Sequence, residues 1–197
     1  MWALVGLGNP GKQYAETRHN VGFIFVKRIA KAWKIKLRRK IYLCKGEYAE
    51  IDSKKVLIAL PQTYMNNSGV AVQAILSSGK VKPENLIVVY DDLDIPLGNI
   101  RIRDEGRAGS HKGMISIIEQ IKTSQFPRIR VGIGPLRNNT ETAEYVLSPF
   151  NEEEKAELEI ALPKAQDALN LILDGQIKQA MNKYNTRSRP ETEGIGV

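Results

Sequence analysis

Leu4-Val5-Gly6-Leu7-Gly8-Asn9-Pro10-Gly11-Lys12-Gln13-Tyr14-Ala15-Glu16-Thr17-Arg18-His19-Asn20-Val21-Gly22 joins an apolar segment, a glycine-rich turn and the first histidine in one run. Trp2, Ala3, Leu4, Val5 and Leu7 are nearly continuous in apolar character, as expected of a strand buried on both faces of a mainly parallel sheet. The loop after such a strand lies at a carboxyl edge, where open α/β sheets place their ligands. Gly6 to Gly11 also fits the spacing G-x-G-x-x-G, so a dinucleotide-binding turn is the first reading to test. Pro10 removes an N–H where a pyrophosphate cradle needs donors, and no helix begins at Gly11. The acid expected about 20 residues on, to hold a ribose, is missing, because Glu16 comes too early and the next acid is Glu47.

Outward from that run the elements alternate. Val21 to Trp33 carries apolar residues at helical spacing with basic residues opposite. Ile41 to Ile51 and Lys55 to Leu60 read as strands of a hairpin joined by Asp52-Ser53-Lys54. A polar loop from Gln62 to Gly69 precedes a helix over 70–78. Leu86 to Tyr90 is a β-branched strand ending in Asp91, Asp92 and Asp94, and Asn99 to Arg103 is a short alternating strand. The glycine-rich loop Gly106 to Gly113 leads into a helix from Met114 to Lys122, followed by a strand from Arg128 to Ile133. Asn151 with Glu154 has the pattern of a capping box, opening a helix that Pro163 interrupts or restarts. Helical spacing then resumes through Leu173, and a last helix ends near Tyr184. The expected architecture is α/β: a single-domain twisted mixed sheet over 1–185 with helices on both faces, then a disordered tail over 186–197.

With 197 residues, 42% of them hydrophobic, the chain can enclose a substantial core. It has no apolar run long enough to span a membrane and no signal-peptide pattern, so a soluble, cytoplasmic protein is expected. Cys44, the only cysteine, reads as a buried structural thiol. The net charge of +7 is concentrated at Lys27, Arg28, Lys31, Lys34, Lys36, Arg38, Arg39 and Lys40, a stretch without an acid. Clustered cations of this kind favour a nucleic-acid partner over a merely solvated face.

Chemistry has few possible carriers. The histidines are His19 and His111, with no metal-ligand spacing around them and no second cysteine, and G-x-S-x-G is absent. A histidine with neither nucleophile nor metal most naturally activates water. His19 follows a strand-end turn, and a carboxylate at the end of a second strand could fix its tautomer and stabilise the imidazolium. Asp91, Asp92 and Asp94 are all candidates for that carboxylate.

Gly6-Leu7-Gly8-Asn9-Pro10-Gly11 followed by Thr17-Arg18-His19-Asn20 resembles the paired signature of the bacterial peptidyl-tRNA hydrolase family, and further matches recur over about the first 150 residues. The resemblance implies a monomeric, cofactor-free and metal-free hydrolase that cleaves the ester between peptide and tRNA, with the acceptor stem and 3′ end as its RNA partner. It assigns His19 as general base and, within Asp91-Asp92-Leu93-Asp94, Asp91 as its orienting acid. Asn9 matches the family residue that distinguishes blocked from free aminoacyl groups. Asn66, in Tyr64-Met65-Asn66, matches a substrate-placing amide, whose donor could face a developing oxyanion. Tyr14 and Tyr64 can pack on the terminal adenosine, and Arg103 and Arg130 correspond to a basic pair for the 5′-phosphate. Where many relatives have His-Asn-Gly, this chain has His111-Lys112-Gly113, which replaces an amide by an ammonium that can donate but not accept.

Two other readings compete with the hydrolase: a non-catalytic RNA-binding relative of the same fold, and a dinucleotide-dependent oxidoreductase. Glu141 to Phe150 and the helix after it are expected to cover the site, with Val146 and Leu147 as exposed apolar residues.

Overall fold

In chain order the strands are β1 (Trp2–Gly6), β2 (Arg39–Ile41), β3 (Cys44–Ile51), β4 (Lys54–Pro61), β5 (Leu86–Pro96), β6 (Ile100–Arg103) and β7 (Arg128–Gly134). In the computed structural model, which describes residues 1–136 and 141–185, they form one sheet in the order β2-β3-β4-β1-β5-β7-β6. β4, β1, β5 and β7 run parallel, and antiparallel pairing adds β2 and β3 at one edge and β6 at the other. The helices are α1 (Val21–Ala32), α2 (Ser68–Ser77), α3 (Lys112–Ile121), α4 (Thr142–Leu147), α5 (Glu152–Leu173) and α6 (Ile177–Tyr184).

Alternation along the central strands divides the core in two. Leu4, Ile58, Ile87 and Val89 pack with residues of α1, α5 and α6. Ala3, Val5, Leu57, Ala59, Leu86 and Val88 pack with residues of α2 and α3. Both faces of the central strands are therefore covered, which is why their sequences are continuously apolar. Burial of each large side chain, such as Leu4 or Ile87, contributes about 1.5–3 kcal/mol.

Several boundaries differ from the sequence reading. The first edge hairpin turns at Tyr42 and Leu43, with φ of 48° and 62°, so Ile41 pairs with Cys44 and the expected single strand becomes β2 and β3. Asp52 and Ser53, at φ of 47° and 64°, make the second two-residue turn, the geometry that matches strand twist. β5 continues through its carboxylates because Asp91 and Asp92 still pair with Val131 and Gly132 of β7. α5 is continuous across Pro163, held by Leu158, Leu162, Ala165 and Leu169 in the core. Its capping box is as expected: Glu154 N–H donates to Asn151 Oδ1 at 2.8 Å, and Asn151 N–H to Glu154 Oε2 at 2.9 Å. The expected tail at 186–197 lies outside the described residues.

α1 lies directly on the sheet. A Cβ at Gly22 would come within 2.3 Å of Val89 O and 2.5 Å of Leu7 N, and one at Gly6 within 2.3 Å of Gly22 O. The glycines of the first turn thus serve close helix–strand packing. Gly11 is followed by a 3-10 turn, Lys12–Tyr14, and the first α-helix begins only at Val21. The dinucleotide reading loses its structural basis, because that motif needs helix N–H groups aimed at a phosphate.

Candidate active site

Three chain segments leave the carboxyl ends of neighbouring parallel strands and converge: residues 7–20 after β1, 62–67 after β4, and the end of β5. The first is locked by two asparagines. Asn9 N–H donates to Asn20 Oδ1 at 2.8 Å, and Asn20 Nδ2 returns a bond to Asn9 O at 2.9 Å. Asn9 Oδ1 then accepts from Met65 N–H at 2.8 Å. This ties the first segment to the second and leaves the Asn9 amide N–H groups as its available donors.

Asp91 is the hub. Its carboxylate faces His19 Nδ1 at 2.9 and 3.0 Å and His111 Nε2 at 3.0 Å. Burial opposes its ionisation, but His111 and then His19 outweigh that effect and hold the carboxyl well below the usual carboxylate range. With Nδ1–H of His19 bonded to Asp91, the lone pair of neutral His19 is on Nε2, and no hydrogen bond among the described residues engages that atom. A carboxylate-oriented imidazole with a free lone pair can take a proton from water.

His111 was not among the expected site residues. It is the N-cap of α3, which starts at Lys112 rather than Met114. Met114 N–H donates to His111 Nδ1 at 3.2 Å, so the proton of the neutral ring is on Nε2, facing Asp91. His19, Asp91 and His111 form the one group of potential metal ligands among the described residues, with donor atoms within 4.8 Å. The hydrogen bonds do not suit a metal, since a protonated Nε2 has no lone pair to offer.

Beside this hub is a cavity of about 950 Å³. Asn9, His19, Asn66, Asp91, Lys112, Arg103 and Arg130 all line it. Tyr14 and Tyr64 do not; Tyr14 is half-buried on the turn after Gly11, and Tyr64 is 52% exposed at φ 57°. Arg103 is exposed and sits across from Arg128 in the β6–β7 pairing, whereas Arg130 donates through Nε to Asp92 Oδ2 at 2.5 Å. Arg128, which the sequence reading did not single out, is 1% exposed and donates to Arg107 O and Ser124 O at 2.9 and 2.8 Å. It thereby anchors the base of the glycine-rich loop. Burial pushes the Cys44 thiol up to about 12, away from nucleophilic use.

Glu141, Thr142, Ala143, Val146 and Leu147 line the same cavity. Val146 is buried at 9% exposure, unlike Leu147 at 44%, because it packs in the core with Tyr145 and Phe150. The end of this segment is fastened to the histidine loop by Arg18. Arg18 Nη1 donates to Ser148 Oγ at 2.5 Å and Pro149 O at 3.0 Å, and Nη2 to Glu154 Oε2 at 2.5 Å. Its guanidinium stacks 4.3 Å from the Tyr145 ring centroid.

A family model described as peptidyl-tRNA hydrolase matches residues 3–192. The peptidyl-tRNA hydrolase of Persephonella marina is 44% identical over 191 residues, covering 94% of this chain and 97% of that one. That of Aquifex aeolicus is 45% identical over 182 residues, covering 92% and 95%. Among solved structures, the peptidyl-tRNA hydrolase of Acinetobacter baumannii aligns with a TM-score of 0.87 at 34% identity, over 93% of both chains. A peptidyl-tRNA hydrolase in complex with N-propanol aligns at 0.88 and 34%, over 96% and 97%. The similar proteins carry an enzyme's name, and the non-catalytic alternative has no support among them.

Proposed function

The chain belongs to the peptidyl-tRNA hydrolase family and hydrolyses peptidyl-tRNA, and we propose that it does so through water activated by His19. The observation that carries this reading is the Nδ1 contact of His19 with buried Asp91 at 2.9 Å, which leaves Nε2 open beside the cavity. Nε2 takes a proton from water as the oxygen attacks the ester carbonyl carbon. The imidazolium, stabilised by Asp91, then returns that proton to the departing ribose oxygen. Asn9, whose Oδ1 is held by Met65 N–H, and exposed Asn66 supply amide donors to the carbonyl oxygen as it gains negative charge.

Substrate RNA extends from there across the cavity rim. Arg103 and Arg130 take a phosphate of the tRNA end, Lys112 donates where relatives use an amide, and Tyr14 and Tyr64 flank the 3′ adenosine. Residues 1–185 work as one domain and as a monomer in the cytoplasm. In support of one domain, a single seven-stranded sheet carries both core layers. The test is release of tRNA from N-acetylaminoacyl-tRNA, beside the unblocked aminoacyl-tRNA and with a chelator present. Chelator-resistant cleavage of the blocked substrate alone is expected. Binding without cleavage, or loss of turnover with the chelator, overturns the mechanism.

A further inference from the structure

We propose that His111 is a positioning residue that acts on His19 through Asp91, a neutral Nε2–H donor that limits how strongly the carboxylate stabilises protonated His19. The inference rests on His19 being the general base.

Three features of His111 carry it. Its Nδ1 accepts from Met114 N–H at 3.2 Å, and a backbone N–H can only donate, so the ring's proton is fixed on Nε2. That Nε2 lies 3.0 Å from Asp91 Oδ1, the same oxygen that is 3.0 Å from His19 Nδ1. The ring is also confined, with its centroid 4.9 Å from that of His19 and 4.9 Å edge-on from that of Tyr90. In this tautomer His111 meets Asp91 through a single N–H while its other nitrogen caps α3.

The consequence falls on the proton that His19 must accept and then surrender. A carboxylate with a single donor would hold imidazolium firmly, leaving more of the free enzyme protonated at the base and slowing the return of the proton to the ribose oxygen. A second N–H on the same oxygen weakens that hold. Other charged groups on the elements around Asp91 are engaged elsewhere or line the cavity. On its own strand Asp92 is paired with Arg130 of β7, and Arg128 of β7 is bonded to backbone carbonyls. Lys112 of α3 and Glu141 ahead of α4 line the cavity.

His111→Asn separates the two bonds, because asparagine caps a helix well but is too short to reach Asp91. The expected result is an acidic limb of kcat/KM that moves up by about 0.5–1 pH unit, together with a lower alkaline plateau as return of the proton slows. A stationary limb, or an equal loss at every pH, overturns the proposal. Should the variant not fold, histidine ¹⁵N spectra of the wild-type protein serve, since it has only two histidines. His111 is expected as the Nε2–H tautomer and His19 as the Nδ1–H tautomer, and a His111 proton on Nδ1 overturns the inference. His19→Ala distinguishes the levels: a variant retaining the rate removes the base itself, whereas an inactive one with a stationary limb in His111→Asn removes only the role of His111.

Discussion

Arg18 and His19 are neighbours on one 3-10 turn, yet they enter two buried ionic clusters of opposite character. Arg18 is enclosed: its carboxylate partner Glu154 also completes the capping box of α5 with the N-cap Asn151, and its Nη1 reaches Ser148 and Pro149. His19 has one nitrogen fixed on Asp91 and the other left open beside a cavity. Both clusters are built from buried charge and short hydrogen bonds, so neither burial nor charge separates them. The unengaged lone pair does, and it is the reason the proposed chemistry is placed on His19.

The comparison can be broken from either side. His19→Ala should lower kcat by about 100- to 10,000-fold, the range of general base catalysis, with a loss of stability limited by the bond that His111 keeps to Asp91. A variant that keeps most of its rate in a tRNA-release assay would erase the distinction. Arg18→Ala should do the reverse, lowering stability by removing the bonds of its guanidinium to Ser148, Pro149 and Glu154 at about 1.5–3 kcal/mol for each charge-assisted bond, measured by denaturant unfolding. The folded fraction, assayed below its midpoint, should keep most of its turnover. Tyr145→Phe sharpens the picture at smaller scale. It removes the bond from Tyr145 Oη to Ile133 O at 2.6 Å but keeps the ring under Arg18, for a loss of about 1 kcal/mol.

Much of this was legible in the sequence where burial leaves a simple mark. β1, β4 and the first half of β5 carry apolar runs because both faces are covered, and the capping box at Asn151 is a local signal with a local cause. The Tyr42-Leu43 turn was hidden because non-glycine residues occupy its positive φ positions, where composition gives no warning. Pro163 argued for a break, but core contacts on both sides keep α5 intact. In the site, three carboxylates looked equivalent from residue type alone. Alternation could have separated them: Asp91 shares the odd-numbered side of β5 with Ile87 and Val89, the side against which α1 packs, and the turn bearing His19 leads into α1. His111 left no such trace. Its contribution depends on a cap bond and on a partner 20 residues away, both created by the fold.

The contact of α1 with the sheet through Gly22 and Gly6 also bears on the site. Neither glycine lines the cavity, but any side chain there must push α1 off β1 and β5, and α1 begins one residue after Asn20. Displacing that helix moves His19 and Asn20 together, away from Asp91 on β5 and from Asn9 on the turn after β1. The geometry of the site is thus set in part at two positions without functional groups, where any side chain larger than hydrogen is excluded by the backbone packed against it.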